Sequence, residues 1–390
     1  MQAARFPLAG NRAALVSGRP LEKVPEAWHS GRPVRWAFDR QQPAGLRAAV
    51  EGAGMRTVAW VFAGITLVGV VARLVPAAAS DLPYLPVIVA LTPWFAATAV
   101  VALVLSRALG AGARIAVRVL MLGALVLEAL WQGLFLVPHA QASASAGQAS
   151  APAQASATTL RVMTCNVYKG KADPKRIVEL VRSEDVQVLA LQETTRDFAS
   201  ELERAGLGEL LPYSSRASSD GVYGNGIWSA LPISDAQSDA VGSSASPMPS
   251  GTVTLGAGDS GADARVCLVS VHTCAPVPGY WDLWKRSVEE IGSVRDRAAT
   301  DTATRYVLMG DFNATYDHAP FREMLGGTLR DAAREVGRLT LTWPADRGPV
   351  PALSGIDHVV MGPGVGAHDI EVAPVAGTDH KALIATLEVS

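Results

Sequence analysis

A short apolar run that ends in polar residues lies at positions 306–314. The run ends at Met309, and after Gly310 come Asp311 and Asn313, two residues apart. Because alternate residues of an extended segment point to the same side, Asp311 and Asn313 can face one site. The carboxylate can hold or deprotonate a water molecule, and the amide can donate to a phosphate oxygen without carrying charge. Taken alone, the pattern also fits a strand followed by an Asx-type turn.

Five further stretches place polar, metal-capable residues beside apolar runs. Asn166, Glu193 and His272 follow runs that start near 161, 188 and 267, Asp379 and His380 follow Gly377 and Thr378, and Asp357 and His358 open a predicted strand. Cleavage of a phosphate ester needs charge neutralisation at the phosphoryl oxygens, an oriented water and a stabilised leaving group. Carboxylate, amide and imidazole side chains can supply these functions.

The order of these motifs resembles that of the endonuclease/exonuclease/phosphatase superfamily, which includes deoxyribonuclease I, exonuclease III and the neutral sphingomyelinases. The resemblance covers roughly residues 158–390. It implies an α/β fold, a four-layered α/β sandwich of two packed mixed sheets flanked by helices. It also implies a phosphoester hydrolase, either a phosphodiesterase or nuclease or a phosphatase, with Mg²⁺ as cofactor and Mn²⁺ as the alternative.

The resemblance implies a metal site at Glu193, Asn166 and Asp379. Glu193 is the expected main ligand, because a hard carboxylate at a strand end suits Mg²⁺. Asn166 is expected to hold Glu193 or a metal-bound water, and Asp379 to complete the site. The alternative for Glu193 is an acidic residue favoured by the dipole of a following helix.

The resemblance assigns the catalytic roles to five residues. Asp311 positions or deprotonates the attacking water, and Asn313 binds the phosphate. His380 contacts the scissile phosphate and shares in proton transfer, while Asp357 orients its imidazole. His272 matches a second histidine of the deoxyribonuclease-like branch and is expected to stabilise transition-state charge.

Other positions give weaker expectations. Asn225 lies in a stretch that resembles a family motif and is an expected substrate contact, although Ala230 replaces the usual Arg of that motif. His358 is not expected to be catalytic, because the family often carries Tyr there. The aromatic residues of the loop 276–284 either pack a helix start or contact bases or lipid.

Short apolar segments alternate with helical patterns from residue 160 onward. Strands are predicted at 160–167, 186–192, 226–229, 252–255, 266–272, 306–309, 356–361 and 383–389, and helices at 174–183, 195–205, 281–300 and 321–325. Asp173 is the expected N-cap of the first of these helices, with Pro174 at its first position.

Charge divides the 390 residues into two parts. Residues 1–157 contain 13 Lys and Arg and 6 Asp and Glu, which gives +7, and the remainder contains 21 and 30, which gives −9. The acidic balance of the second part disfavours tight binding of polyanions driven by counterion release. The three cysteines have no metal-finger spacing and their odd number gives no disulfide framework.

The sequence of residues 1–157 predicts a membrane region. A disordered basic tail is expected at 1–54 and three transmembrane helices within 55–138, because Thr57–Ala78, Leu85–Leu105 and Ile115–Val137 each approach the roughly 20 apolar residues that cross a bilayer. Buried helices of a soluble domain, or a signal peptide in the first run, are the alternatives. Arg73, near the far end of the first run, is expected to extend to the membrane interface.

An Ala/Ser/Gln-rich linker at 139–159 is predicted to join the helices to the catalytic domain at 160–390. Basic residues before the first run and between the second and third predict a cytoplasmic N-terminus. Three crossings then place the catalytic domain outside the cytoplasm, at a cell membrane. The expected partners are the lipid bilayer and a phosphoester substrate, which is a nucleic acid, a phospholipid or a smaller phosphoester, with no obligate protein partner. The alternative function is a non-catalytic, membrane-tethered binding module that retains the fold.

Overall fold

The computed structural model describes residues 44–137, 158–219, 221–256, 263–346 and 348–390. From residue 158 onward the chain forms two six-stranded mixed sheets. The first sheet has the order β11-β12-β1-β2-β4-β3, with β1 at Thr158–Asn166, β2 at Val188–Gln192, β3 at Tyr213–Ala217, β4 at Asn225–Ser229, β11 at Val365–Ala373 and β12 at Ala382–Val389. The second has the order β5-β6-β7-β8-β10-β9, with β5 at Ser234–Gln237, β6 at Ser250–Leu255, β7 at Ala264–His272, β8 at Thr304–Asp311, β9 at Arg330–Asp331 and β10 at Asp357–Met361.

Apolar side chains of the two sheets form the central core. Val162 and Ile227 of the first sheet share one buried cluster with Leu268, Met309 and Val359 of the second. Burying each such side chain contributes roughly 1.5–3 kcal/mol, so this contact is a major source of stability. The two sheets therefore lie face to face, as the sequence predicted.

Helices cover the outer faces of both sheets. The helices after residue 158 are α5 at Pro174–Ser183, α6 at Arg196–Arg204, α7 at Leu207–Leu210, α8 at Trp281–Glu290, α9 at Gly292–Thr300, α10 at Ala319–Leu325 and α11 at Ala332–Val336. Apolar residues of α5, α6 and α7 pack on the first sheet, and those of α8, α9 and α10 pack on the second. The expected four-layered order of helix, sheet, sheet and helix is present.

Local sequence explains where two of these helices begin. The Asp173 carboxylate accepts the Lys175 N–H at 2.9 Å and caps α5, with Pro174 at its first position, as predicted. The single helix predicted at 281–300 is instead two helices, α8 and α9, which meet at Ile291 and Gly292. Glycine weakens a helix interior, which favours a break at this point.

The register of the strands brings the predicted site residues to one edge of the sandwich. On β7, β8 and β10, His272 pairs with Asp311, and Asp311 pairs with Asp357. Asn166 at the end of β1 pairs with Gln192 at the end of β2. Gly310 permits this alignment, because a Cβ at its position would lie 2.0 Å from the carbonyl oxygen of Val271.

The N-terminal helices differ from the prediction. They are α1 at Ala44–Leu74, α2 at Leu85–Val89, α3 at Phe95–Leu105 and α4 at Ala111–Gln132. Helix α1 begins inside the predicted tail, whose residues 1–43 lie outside the described residues, as does most of the predicted linker. The predicted second span is divided into α2 and α3, because Pro86 and Pro93 lie at the starts of separate helical turns.

Three transmembrane helices are therefore not supported. In the described part of the chain, one helical stretch, Gly52–Leu74, is long and apolar enough to cross a membrane. Helix α4 carries Arg114, Arg118 and Glu128 within its 22 residues. Length and composition do not by themselves distinguish a membrane span from a buried helix.

The N-terminal helices pack against the α/β domain. Phe135, just after α4, joins the core cluster between the two sheets. Arg73 forms a buried ion pair with Asp317, so the expectation that it extends toward a membrane interface was wrong. The Asp317 carboxylate, from the α/β domain, offsets the free-energy cost of burying the Arg73 guanidinium, because it supplies the opposite charge and a hydrogen-bond acceptor.

Candidate active site

Asp311 lies at the centre of the site, at the end of β8. It is 1% exposed, its Oδ2 accepts the Asn166 Nδ2–H at 3.0 Å, and its Oδ1 accepts the Asn313 N–H at 2.8 Å. Burial raises the pKa of Asp311, the cationic form of His380 opposes this, and Asp357 adds to it. Asp311 is thus an oriented carboxylate with increased proton affinity, as a general base requires.

Asp357 and His380 form a buried hydrogen-bonded pair. The His380 Nδ1–H donates to Asp357 Oδ2 at 2.9 Å, and His380 Nε2 lies 3.7 Å from Asp311 Oδ2. Burial lowers the pKa of His380, but Asp357 and Asp311 outweigh it and raise the pKa to about 10. The pair predicted from residues 23 positions apart is therefore present, and the neighbouring carboxylates favour the cationic form of the imidazole.

Glu193 and Asn166 lie beside Asp311, where β2 and β1 end. One Asn166 amide group approaches both Glu193 Oε1, at 3.2 Å, and Asp311 Oδ2. Burial raises the pKa of Glu193, and the Asn166 hydrogen bond opposes this. Glu193 Oε2 is buried and accepts no hydrogen bond within the described residues. A divalent cation would satisfy this oxygen, so the donor set fits the metal that the sequence predicted.

His272 faces the same cleft from the end of β7. Its Nε2 lies 3.9 Å from Glu193 Oε1, and its Nδ1 is buried with no hydrogen-bond partner in the part of the chain that the structure describes. Burial lowers the pKa of His272, and Asp311 opposes this shift. The net shift favours the neutral form of His272 beside Asp311 and Glu193.

The structure also places Asn313 and Asp379 at the rim of the site. Asn313 has a left-handed backbone conformation with φ of 46°, and its Nδ2–H donates to the Thr273 carbonyl at 3.0 Å. Asp379 adjoins His380, and its Oδ2 accepts the Trp343 Nε1–H at 3.3 Å. Metal binding by Asp379 and phosphate binding by Asn313 stay predictions.

Asn225 is committed to contacts within the protein. Its Nδ2 donates to the carbonyl oxygens of Ser270, at 2.9 Å, and Pro247, at 3.2 Å, and its Oδ1 accepts from the Ser270 hydroxyl. These bonds join β4 to β7 across the two sheets. The Asn225 amide, which was predicted to contact substrate, is therefore already hydrogen-bonded within the protein. A contact between Asn225 and substrate stays a prediction.

Some supporting residues were missed from the sequence. Thr378, within the quoted Gly-Thr-Asp-His motif, donates through Oγ1 to the Asn166 carbonyl at 2.7 Å and accepts the His380 N–H at 3.1 Å. Trp284 donates to the Asn313 carbonyl at 2.8 Å, and Gln192 donates to the Ser270 hydroxyl at 3.1 Å. For Thr378, the available sequence signal was its position directly before Asp379 and His380.

The site combines two buried carboxylates, the partly buried Glu193 and an imidazole whose cationic form is favoured. Asp311, Asp357 and His380 offer ligand atoms that all lie within 4.8 Å of one another, and Glu193 adjoins this group through Asn166. Such a site attracts a cation and can move a proton between Asp311 and His380. It suits hydrolysis of a phosphate ester, in which both a base and charge stabilisation are needed.

Comparison with known proteins gives a family model and structural neighbours. The Endonuclease/Exonuclease/phosphatase family model matches residues 163–380. A humanized TDP2 from D. rerio with 14 mutations is 13% identical, with a TM-score of 0.47, and the match covers 59% of this chain and 98% of that one. An endonuclease/exonuclease/phosphatase from Beutenbergia cavernae is 19% identical, with a TM-score of 0.44 and coverage of 60% and 72%. The human Nocturnin catalytic domain with bound sulfate is 13% identical, with a TM-score of 0.44 and coverage of 60% and 94%. Among curated proteins, none matches the sequence at a significant level.

Proposed function

Because this chain belongs to the Endonuclease/Exonuclease/phosphatase family, we propose that it is a divalent-metal-dependent hydrolase of phosphoester bonds. The observation that carries the proposal is the buried group of Asp311, Asp357 and His380 beside Glu193. Phosphodiesterase or nuclease activity is the preferred form, with phosphatase activity as the other form. The substrate is a nucleic acid, a phospholipid or a smaller phosphoester.

Glu193 is the proposed main ligand of Mg²⁺, with Asn166 and Asp379 beside it. When bound, the cation would neutralise charge on the phosphoryl oxygens. The support for this assignment is the buried Glu193 Oε2, which accepts no hydrogen bond among the described residues, together with the excess of carboxylates around it. Oxygen ligands of this kind are those that Mg²⁺ prefers.

Asp311 and His380 carry the proton steps. Asp311 accepts the proton of the attacking water as the oxygen–phosphorus bond forms. The His380 imidazolium stabilises the phosphoryl oxygens and gives its Nε2 proton to the leaving oxygen as the ester bond breaks. The proton then returns from the Asp311 acid to the His380 imidazole. For this step the 3.7 Å between His380 Nε2 and Asp311 Oδ2 has to shorten to hydrogen-bond distance. Asp357 holds the ring for both steps through Nδ1.

The N-terminal helices are the proposed membrane anchor. Side chains of α1, including Trp60, Val61 and Val68, are about half exposed, and so are Ile115 and Val126 of α4. Exposed apolar surface of this extent favours contact with lipid. We infer that α1 crosses the membrane with the basic tail inside, which puts the catalytic domain outside, since one crossing and three crossings lead to the same side.

The test is a hydrolysis screen with the full chain in detergent. Substrates are DNA, RNA, sphingomyelin, phosphoinositides and nucleotides, each with Mg²⁺ and with EDTA, and Asp311→Asn is the inactive control. Hydrolysis of at least one class is expected, with loss in EDTA and in the control variant. Folded protein that turns over no substrate of the panel would instead favour the non-catalytic binding module, and hydrolysis unaffected by Asp311→Asn would show a contaminant.

A further inference from the structure

The loop 312–318 connects the catalytic strand β8 to α10 and carries Asn313. Its backbone carbonyl oxygens are held by side chains from three directions. Thr273 Oγ1–H donates to the Phe312 carbonyl at 2.6 Å, and Trp284 Nε1–H donates to the Asn313 carbonyl at 2.8 Å. His358 Nε2–H donates to the Ala314 carbonyl at 2.8 Å. The position of Asn313 thus depends on several side chains outside the loop.

Two further side chains reach this loop from the N-terminal helices. Arg73, near the end of α1, donates from Nε to Asp317 Oδ1 at 2.7 Å, and Gln132, at the end of α4, donates from Nε2 to Asp317 Oδ2 at 3.0 Å. The side chains of Arg73 and Asp317 are 8% and 5% exposed. The guanidinium also stacks on the Trp131 ring, 4.6 Å from its centroid. Removing one member would leave the other charge buried and unpaired, which is costly.

His318 adds a second connection to the helical region. Its Nδ1 accepts the Thr315 N–H at 2.8 Å, which leaves Nε2–H to donate to the Pro86 carbonyl at 2.8 Å. Burial lowers the pKa of His318 to about 4, in agreement with this neutral form. The ring meets the edge of Trp284, whose indole holds the Asn313 carbonyl. One continuous set of contacts therefore connects Pro86 to Asn313.

The segments around Trp343 and Ser354 are also held by the helical region. Trp94 Nε1–H donates to the Leu353 carbonyl at 2.8 Å, and Ser354 Oγ–H donates to the Ala90 carbonyl at 3.2 Å. Trp343 forms a β-bridge with Ser354 and donates to Asp379. The helical region thus contacts two segments that border the candidate site.

We propose that Arg73 and Gln132 are positioning residues for the Asn313 loop, so that the N-terminal helices are part of the catalytic unit as well as an anchor. This proposal rests on the proposed function, because Asn313 is the expected phosphate contact. Asp317 transmits the position of the helices to the loop, and three residues of backbone separate it from Asn313. A displacement of about 1 Å at a substrate contact can reduce a rate about 100-fold.

The test is a double-mutant cycle on the full chain in detergent. Arg73→Met is expected to lower kcat by about 10- to 100-fold with a smaller change in KM. Asn313→Ala is expected to lower kcat as well, and the double variant to be no worse than Asn313→Ala. Arg265→Met is the matched control, because its exposed partner Asp235 lies away from the site, and it should keep the wild-type rate.

Amide hydrogen exchange of residues 312–318 provides a readout that does not require turnover. Arg73→Met should accelerate exchange in this segment and leave β1 and β2 unchanged. If Arg73→Met unfolds the chain, Asp317→Asn, which keeps the shape of the side chain, takes its place in both measurements. Wild-type exchange and turnover in the variants, or losses that multiply with Asn313→Ala, would overturn the proposal. An inactive wild-type protein with accelerated exchange in the variants would refute the proposed function and leave the structural connection supported.

Discussion

Asp311 and Asp357 stand directly opposite each other on the antiparallel strands β8 and β10, and both carboxylates approach the imidazole of His380. The His380 nitrogens lie 2.9 Å from Asp357 Oδ2 and 3.7 Å from Asp311 Oδ2. Oxygens of the two carboxylates lie within 4.8 Å of each other. Two like charges this close disfavour ionisation of both groups, and a cation between them offsets this effect. The charge of His380 therefore keeps Asp311 available as a base.

Glu193→Gln should separate metal binding from folding. The change keeps the shape of the side chain and removes the charge that holds the cation. Burial raises the pKa of Glu193, which means that the ionised form is penalised in the metal-free fold. This cost grows as pH rises from the unfolded pKa to the folded pKa and is constant above it. At neutral pH the metal-free variant should be at least as stable as the metal-free wild type. It should lose most Mg²⁺-dependent hydrolysis and the rise in unfolding temperature that Mg²⁺ causes.

Thermal unfolding with and without Mg²⁺ measures both effects. Glu179→Gln is the control, because Glu179 lies on the exposed face of α5 and pairs with Arg176 within that helix. A Glu193→Gln variant that keeps wild-type turnover at low Mg²⁺ would exclude Glu193 as the main ligand. The control should retain both the rate and the Mg²⁺ response.

We expect the fragment 158–390 to fold but to have a lower kcat than the full chain. Phe135 is the one described residue from before 158 in the core between the sheets, so the strands and helices of the fragment supply almost all of that core. A cooperative unfolding transition is expected. The fragment lacks Arg73 and Gln132, and its kcat should fall below that of the full chain by about the factor lost in Arg73→Met.

Circular dichroism during thermal unfolding and turnover on the substrate found for the full chain check this prediction. Recovery only as aggregate would mean that the helices are needed for folding. A fragment with the full-length kcat would count against a positioning role for the helices.

Short-range sequence signals predicted most of the α/β domain because they depend on local chemistry. Alternation and apolar runs marked β1, β2, β7, β8 and β12, and Asp173 with Pro174 marked the start of α5. Four strands, β3, β5, β9 and β11, gave no such signal, and all four are the edge strands of the two sheets. In β3, at Tyr213–Ala217, one side chain of five is buried, and β11 contains charged and small residues at the edge of its sheet. Edge strands bury less apolar surface, so their pattern is weak.

The site was predictable to the extent that its residues end strands. Asp311, Asp357, His380 and Glu193 lie at or next to strand ends, and the order of the motifs indicated a shared cleft. The roles of Asn225 and Asp317 could not be read in this way. Their hydrogen bonds go to Ser270, Pro247, Arg73 and Gln132, and such pairings arise from tertiary contact between segments far apart in sequence.

Fusion of reporters after Ser390 should place the C-terminus outside the cytoplasm. A cluster of basic residues precedes the apolar stretch Gly52–Leu74 of α1, and one crossing by this stretch carries the following chain across the membrane. A reporter that is active only outside the cytoplasm should give signal at this position. A second reporter, fluorescent only inside, should be silent there, and the reverse pair of results would reject the proposed topology.

The last prediction concerns the pair Asp357 and His380. His380→Ala should reduce kcat by a factor on the order of 10²–10⁴, because it removes both proton transfer and a cation near the phosphoryl group. Asp357→Asn should cost less, since the ring remains and loses only its charged partner. The double variant should be little worse than His380→Ala, because residues that act as a unit are non-additive. The measurement is a double-mutant cycle on turnover at saturating Mg²⁺.

Folding has to be checked in every variant of this cycle, because both residues are buried and Asp357 is 0% exposed. Circular dichroism and a cooperative thermal transition serve this purpose. His380→Ala leaves Asp357 and Asp311 buried without the imidazolium, so its stability should fall more than that of the double variant with Asp357→Asn. Rate losses that multiply fully would show that Asp357 does not act through His380, and the proposed orientation of the imidazole would then be wrong.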